Sequence, residues 1–108
     1  MNHEVIRDYA LSFPFADESF PFDDTALVFK VHGKMFALLS LDDQPARINL
    51  KNNPERNIEL REEHDWIIPG YHSNKRHWNT VIVEEYASWE LIKEMIETML
   101  ENDGVGLA

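Results

Sequence analysis

Apolar residues recur along this chain in two rhythms, one of about 3.6 residues and one of two. Val5, Ile6, Tyr9 and Ala10 fit the first and predict a helix. Asn2 is placed to cap it, Glu4 lies in its positive first turn, and Phe13-Pro14 ends it. Residues 14–25 read as a connection whose Phe15, Phe20 and Phe22 are expected to pack down as a lid over the core edge. Residues 26–31 and 34–41 read as strands joined by His32-Gly33, a two-residue turn that needs positive φ at Gly33. The expected register sets Val31 against Lys34, Phe29 against Phe36 and Leu27 against Leu38. The other face carries Val28, Met35, Ala37, Leu39 and Leu41. Both faces are apolar, which predicts a central hairpin covered on much of both sides, a second copy of the chain being one possible cover.

Residues 47–51 alternate as a third strand, with Ile48 and Leu50 inward and Arg47, Asn49 and Lys51 together on the other side. Asn53-Pro54-Glu55 starts a second helix that runs to about Glu63, with Ile58 and Leu60 its apolar residues. Trp66-Ile67-Ile68 is a short fourth strand leading into the Pro69-Gly70 reversal, and residues 78–83 form a fifth. Ser88 caps a last helix with the apolar stripe Ile92, Met95, Ile96, Met99 and Leu100, and Glu90, Lys93, Glu94, Glu97 and Glu101 on its solvated side. Asn102-Asp103-Gly104 stops it. The expectation is one two-layer α+β domain over 1–102, ordered α-β-β-β-α-β-β-α around a mainly antiparallel five-stranded sheet, with a loose tail at 103–108.

Charge changes the picture in the middle of the chain. The net charge is −10, which disfavours nucleic acid and anionic membranes as general partners. Yet residues 47–80 hold six of the ten bases and are slightly positive, while the segments on either side are strongly acidic. No acid lies between Trp66 and Thr80, a stretch holding Tyr71, His72, Asn74, Lys75, Arg76, His77 and Trp78. There is no cysteine, hence no disulfide, thiolate metal site or cysteine nucleophile. No apolar run resembles a signal peptide or reaches membrane-spanning length, so a cytoplasmic protein without membrane contact is expected.

Three runs carry a resemblance: Val28-Phe-Lys-Val-His-Gly-Lys-Met-Phe-Ala-Leu-Leu39, Arg47-Ile-Asn-Leu-Lys51 and Ile68-Pro-Gly-Tyr-His-Ser-Asn-Lys-Arg-His-Trp-Asn-Thr80. In order and spacing they resemble the MmcQ/YjbR family of small bacterial proteins, over nearly the whole chain. The resemblance implies the same α-β3-α-β2-α fold and DNA binding through paired β-wings, an assignment that rests on fold-level analogy.

On that reading Lys75, Arg76, Arg47 and Lys51 contact phosphates, and Asn74, Asn79, Tyr71, His72 and His77 reach further. The small patch and acidic flanks imply weak duplex binding. The alternative is a protein-interaction module or homodimer that uses Tyr71, His72 and Trp78, which the acidic exterior suits better. An enzyme is not expected. The chain has no nucleophile elbow, phosphate-cradling glycine loop or His-Glu-x-x-His run, and no cofactor or metal is implied. His64, beside Asp65 and two glutamates, reads as a solvated helix end rather than a metal site.

Overall fold

The computed structural model describes residues 2–70 and 76–102. The order is α1 (His3–Leu11), β1 (Ala16–Ser19), β2 (Ala26–Val31), β3 (Lys34–Ser40), β4 (Arg47–Lys51), α2 (Pro54–Glu63), β5 (Ile67–Pro69), β6 (Trp78–Ile82) and α3 (Trp89–Asn102). One antiparallel sheet contains all six strands in the order β1-β2-β3-β4-β6-β5. The expected tail at 103–108 lies outside the described residues.

The helix caps follow the sequence. The Val5 amide donates to Asn2 Oδ1, the Glu55 amide to Asn53 Oδ1 and the Leu91 amide to Ser88 Oγ, so each helix begins on a side chain that satisfies one free amide. The stripe of α3 is buried as expected. In α1, Ile6 and Ala10 are buried but Val5 is exposed. In α2 the inward residues are Leu60 and the polar Asn57, while Ile58 is exposed.

Two expectations about the sheet are corrected. The sheet has six strands, because Ala16–Ser19 pairs with β2 as an edge strand. Its Ala-Asp-Glu-Ser sequence carries no strand signal; Phe15 enters it at φ 63°. The three phenylalanines do not form a lid: Phe15, Phe20 and Phe22 are all exposed, and the Phe15 ring lies 4.7 Å from that of His32.

The second correction is the hairpin register. The turn holds, with φ 52° at His32 and 78° at Gly33, and Val31 faces Lys34. A bulge then shifts the pairing by one residue, so Phe29 faces Ala37 and Leu27 faces Leu39. Phe36 and Ala37 both enter the core as a result, and Leu38 turns to the opposite face.

All three helices contribute to one core with Leu27, Phe29, Val31, Ile48, Leu50 and Val81 from the same face of the sheet. Among the described residues no helix packs on the other face, so the helices cover the hairpin on one side only. Val28, on the uncovered side, is nevertheless shielded by its neighbours. Among the described residues no helix is long and apolar enough to cross a membrane.

Candidate nucleic-acid interface on the open sheet face

Strand pairing fixes which side chains occupy the uncovered face. One row runs Asp17, Lys30, Met35, then Lys51 and Trp78. A second runs Ser19, Val28, Leu38, Asn49, Thr80 and Ile68. A third runs Ala26, Ser40, Arg47 and Ile82. Asn49 and Thr80 are buried in the middle, where the Thr80 hydroxyl donates to Asn49 Oδ1. This bond gives the Thr80 hydroxyl and the Asn49 side-chain carbonyl oxygen a partner within the sheet face.

The charge on this face differs from that of the rest of the molecule. Strands β2, β3, β4, β5 and β6 contain four bases and no acid. Lys30, Arg47 and Lys51 lie on the open face and make no ion pair among the described residues. On the helical side, Arg7 is bound to Glu18, Arg56 to Glu59 and Lys93 to Glu90. Asp17, in register with Lys30, is an acid on the open face itself, and Asp23, Asp42 and Asp43 line a cleft at the end of the sheet near Ser40. Asp23 is committed to its own loop. It accepts from the Thr25 and Ala26 amides and the Thr25 hydroxyl, bonds that hold its carboxyl below the usual range.

Trp78 sits differently from the other two tryptophans. Trp66 packs its ring against His64, and Trp89 packs against Tyr9 with Lys93 over it. Trp78 has no ring partner among the described residues, and it is half-buried on the open face beside Gly70. The Gly70 amide donates to the Trp78 carbonyl at 3.0 Å. A Cβ at Gly70 would lie 3.0 Å from Trp78 Cβ and 3.1 Å from its carbonyl oxygen, so only glycine lets the two backbones approach this closely.

The expected site residues separate accordingly. Arg47 and Lys51 share the open face, both half-buried. Arg76 is exposed just before β6, and its carbonyl accepts from Asn57 Nδ2. His77 is half-buried, and its carbonyl accepts from the Asn52 amide. Tyr71, His72, Asn74 and Lys75 lie outside the described residues. Asn79 is removed from the list of reaching groups: it is 2% exposed, on the helical face, and bonded to α2. Lys30 is the residue that sequence reasoning missed. Its signal was available, because it alternates with Val28 on the side opposite Phe29.

No cluster of three histidine or carboxylate side chains fit for a metal occurs among the described residues. His64 Nε2 lies 3.8 Å from Glu63, and its ring leans on Trp66.

The chain is similar throughout its length to proteins of one kind. It is 37% identical to YbdF of Escherichia coli O157:H7, over 87% of this chain and 77% of that protein. It is 35% identical to YjbR of Escherichia coli K12, over 78% of this chain and 71% of that one. Among solved structures, a DUF419 domain protein of Deinococcus radiodurans, DR2400, superimposes with a TM-score of 0.85 at 34% identity, covering 99% of this chain and 91% of its own. A Pseudomonas syringae protein superimposes with a TM-score of 0.80 at 28% identity, covering 94% and 98%. The YjbR family profile matches residues 11–99. With the helix order, the antiparallel sheet and these matches in agreement, the chain belongs to the YjbR family.

Proposed function

We propose that this protein binds DNA weakly, without catalysing a reaction, through phosphate contacts from Lys30, Arg47 and Lys51 on the open sheet face. The observation that carries the reading is the charge separation: five strands without an acid, in a protein of net charge −10. A cation without a carboxylate partner keeps its attraction for an external anion, and the ion-paired bases of the helical layer do not. The acids at the sheet's Ser40 end limit the footprint, because they would repel a polyanion long enough to come within a Debye length of about 8 Å of them.

Three phosphate contacts imply a log–log salt slope of about −2.7 on duplex DNA, or about 40-fold weaker binding between 50 and 200 mM salt. Affinity belongs to the non-specific range, about 10⁻⁴ to 10⁻⁶ M. The test is titration of a labelled 20-base-pair duplex, with the triple variant Lys30→Gln, Arg47→Gln, Lys51→Gln as comparison. The variant is expected to lose binding while keeping its melting temperature. Unchanged binding would remove the open face as the site. Lys75→Glu with Arg76→Glu is expected to weaken binding as well, because those bases precede Trp78.

A second reading rests on a cleft of about 450 Å³ at the acidic end of the same face. Phe22, Ala26, Met35 and Leu38 line it, and Asp42 and Asp43 stand at its edge. That combination suits a protein segment with an apolar anchor beside a basic residue. Capture of a protein from lysate that survives nuclease and is lost in Phe22→Ser would favour it over DNA.

A further inference from the structure

We propose that the nucleic acid suited to this face is an unpaired strand, one base of which stacks on the Trp78 ring while Lys51 and then Lys30, both on the same side of that ring, hold successive phosphates along the row. This rests on the DNA reading above and goes beyond it by naming the strandedness.

The geometry of the face carries the inference. A duplex major groove admits a helix or a free two-stranded ribbon. Among the described residues neither rises from this face. All three helices pack on the other side, and the β2–β3 hairpin is flanked by β1 and β4 within the sheet. A broad sheet can touch duplex phosphates but not base faces, which are closed in the stack. An unpaired strand presents both, and sheet platforms hold two or three of its bases by stacking on aromatic side chains.

Trp78 is placed for that role. It stands in register with Lys51, and Lys30 and Met35 continue the same row across the sheet. Its ring has no partner among the described residues, whereas Trp66 and Trp89 are both engaged. Gly70, the neighbour in β-register beyond β5, contributes no side chain beside it. The row thus combines an apolar ring, a flexible thioether and two cations that make no ion pair among the described residues. Arg47 lies on the same face four residues along β4, about 13 Å from Lys51 at about 3.3 Å per residue. Asp17 at the far edge and Asp42 and Asp43 at the opposite end keep the bound segment to a few nucleotides.

The test compares four fluorescein-labelled probes of equal length on the full chain at 50 mM salt: oligo(dT), oligo(rU), a duplex, and an abasic deoxyribose-phosphate strand. Oligo(dT) is expected to bind at least several-fold tighter than the duplex. The abasic strand, which keeps every phosphate and loses every base, is expected to bind about 10-fold more weakly than oligo(dT), the effect of losing one stacked base. Trp78→Ala should abolish the difference between oligo(dT) and the abasic strand, and Trp78→Phe should keep most of it. Oligo(rU) is likewise expected to bind tighter than the duplex, because stacking on Trp78 does not depend on the sugar, and oligo(rU) binding no tighter than the abasic strand would overturn the inference.

The probe comparison needs no variant, so it stands even if Trp78→Ala fails to fold. Equal binding of oligo(dT) and the abasic strand, or tighter binding of the duplex, overturns this inference and leaves the DNA reading in place. Failure of all four probes to bind overturns both.

Discussion

The side-chain amide of Asn79 donates to both the backbone carbonyl and Oδ1 of Asn57, at 3.3 and 3.2 Å. Both residues are almost completely buried. Asn57 Nδ2 in turn donates to the Arg76 carbonyl at 3.0 Å, and Arg61 Nη1 donates to Asn79 Oδ1 at 2.8 Å. Helix α2 is therefore joined to the start of β6 by polar bonds, where its helical face offers few apolar side chains. Asn57→Ala would take the Oδ1 acceptor from the Asn79 amide, which keeps the backbone carbonyl of residue 57, and the Nδ2 donor from the carbonyls of Arg76 and Asn52. The expected loss is about 2–3 kcal/mol in urea unfolding, from the desolvation left uncompensated. Ile58→Ala, one residue on but exposed, is expected to change stability by less than about 0.5 kcal/mol. Equal effects would mean that the asparagine network does not hold the two elements together.

Two glycines are required for different reasons, and one substitution separates them. Gly33 has φ 78° and open space around its missing Cβ. Gly33→Ala should cost about 1 kcal/mol, and Gly33→Asn much less, because asparagine tolerates the left-handed region. At Gly70 the obstacle is the backbone of Trp78 at 3.0–3.2 Å. Both Gly70→Ala and Gly70→Asn are expected to cost about 1–3 kcal/mol as overpacking. Thermal unfolding of the four variants checks the pattern; a stabilising Asn at position 70 would contradict the close approach.

Tyr9 ties α1 to α3 by donating its hydroxyl hydrogen bond to Glu97 Oε1 at 2.7 Å. Burial, reinforced by that bond, raises its pKa above the ordinary 10.0. The unfolded chain then ionises first as pH rises, so this contribution is complete below pH 10 and is lost above it. Stability should fall more steeply above pH 10 in the parent than in Tyr9→Phe, as read by urea midpoints at several pH values. Glu97 thus does more than face solvent. Glu97→Ala is expected to cost about 1 kcal/mol through the lost bond, still less than the roughly 2–5 kcal/mol of Ile96→Ala at a fully buried position.

At low pH the relevant pair is Arg7 and Glu18, which fastens the edge strand β1 to α1. Arg7 Nε donates to Glu18 Oε2 at 2.6 Å, and Nη2 binds the other carboxylate oxygen. The hydrogen bond from Arg7 lowers the Glu18 pKa from its ordinary 4.5. The contribution is present above pH 4.5 and is lost as pH falls through the lowered folded value. The protection factors of the β1 amides, exchange rates corrected for the intrinsic effect of pH, should fall below that pH and should already be low in Glu18→Gln at neutral pH. Slow exchange in that variant would show that the pair does not hold the strand.

The three helices, their caps, the His32-Gly33 turn and five of the six strands were legible in the sequence, because each depends on residues adjacent in the chain. A cap needs a side-chain oxygen within three residues, a turn needs a glycine, and an amphipathic helix needs a stripe. Edge strand β1 was not legible, since Ala-Asp-Glu-Ser has no strand pattern and forms one by pairing with β2. The bulge at Phe36 was equally hidden, and it decided that Leu39 faces the core and Leu38 the open face. Of the site, sequence alternation correctly placed Arg47 and Lys51 on one side of a strand. Only the tertiary structure brought Lys30 and Trp78 into the same row and turned Asn79 inward, because strand order and helix placement are set by long-range burial rather than by local spacing. The charge of the open face arises from the same cause: packing every helix on one side left the acid-free strands exposed on the other.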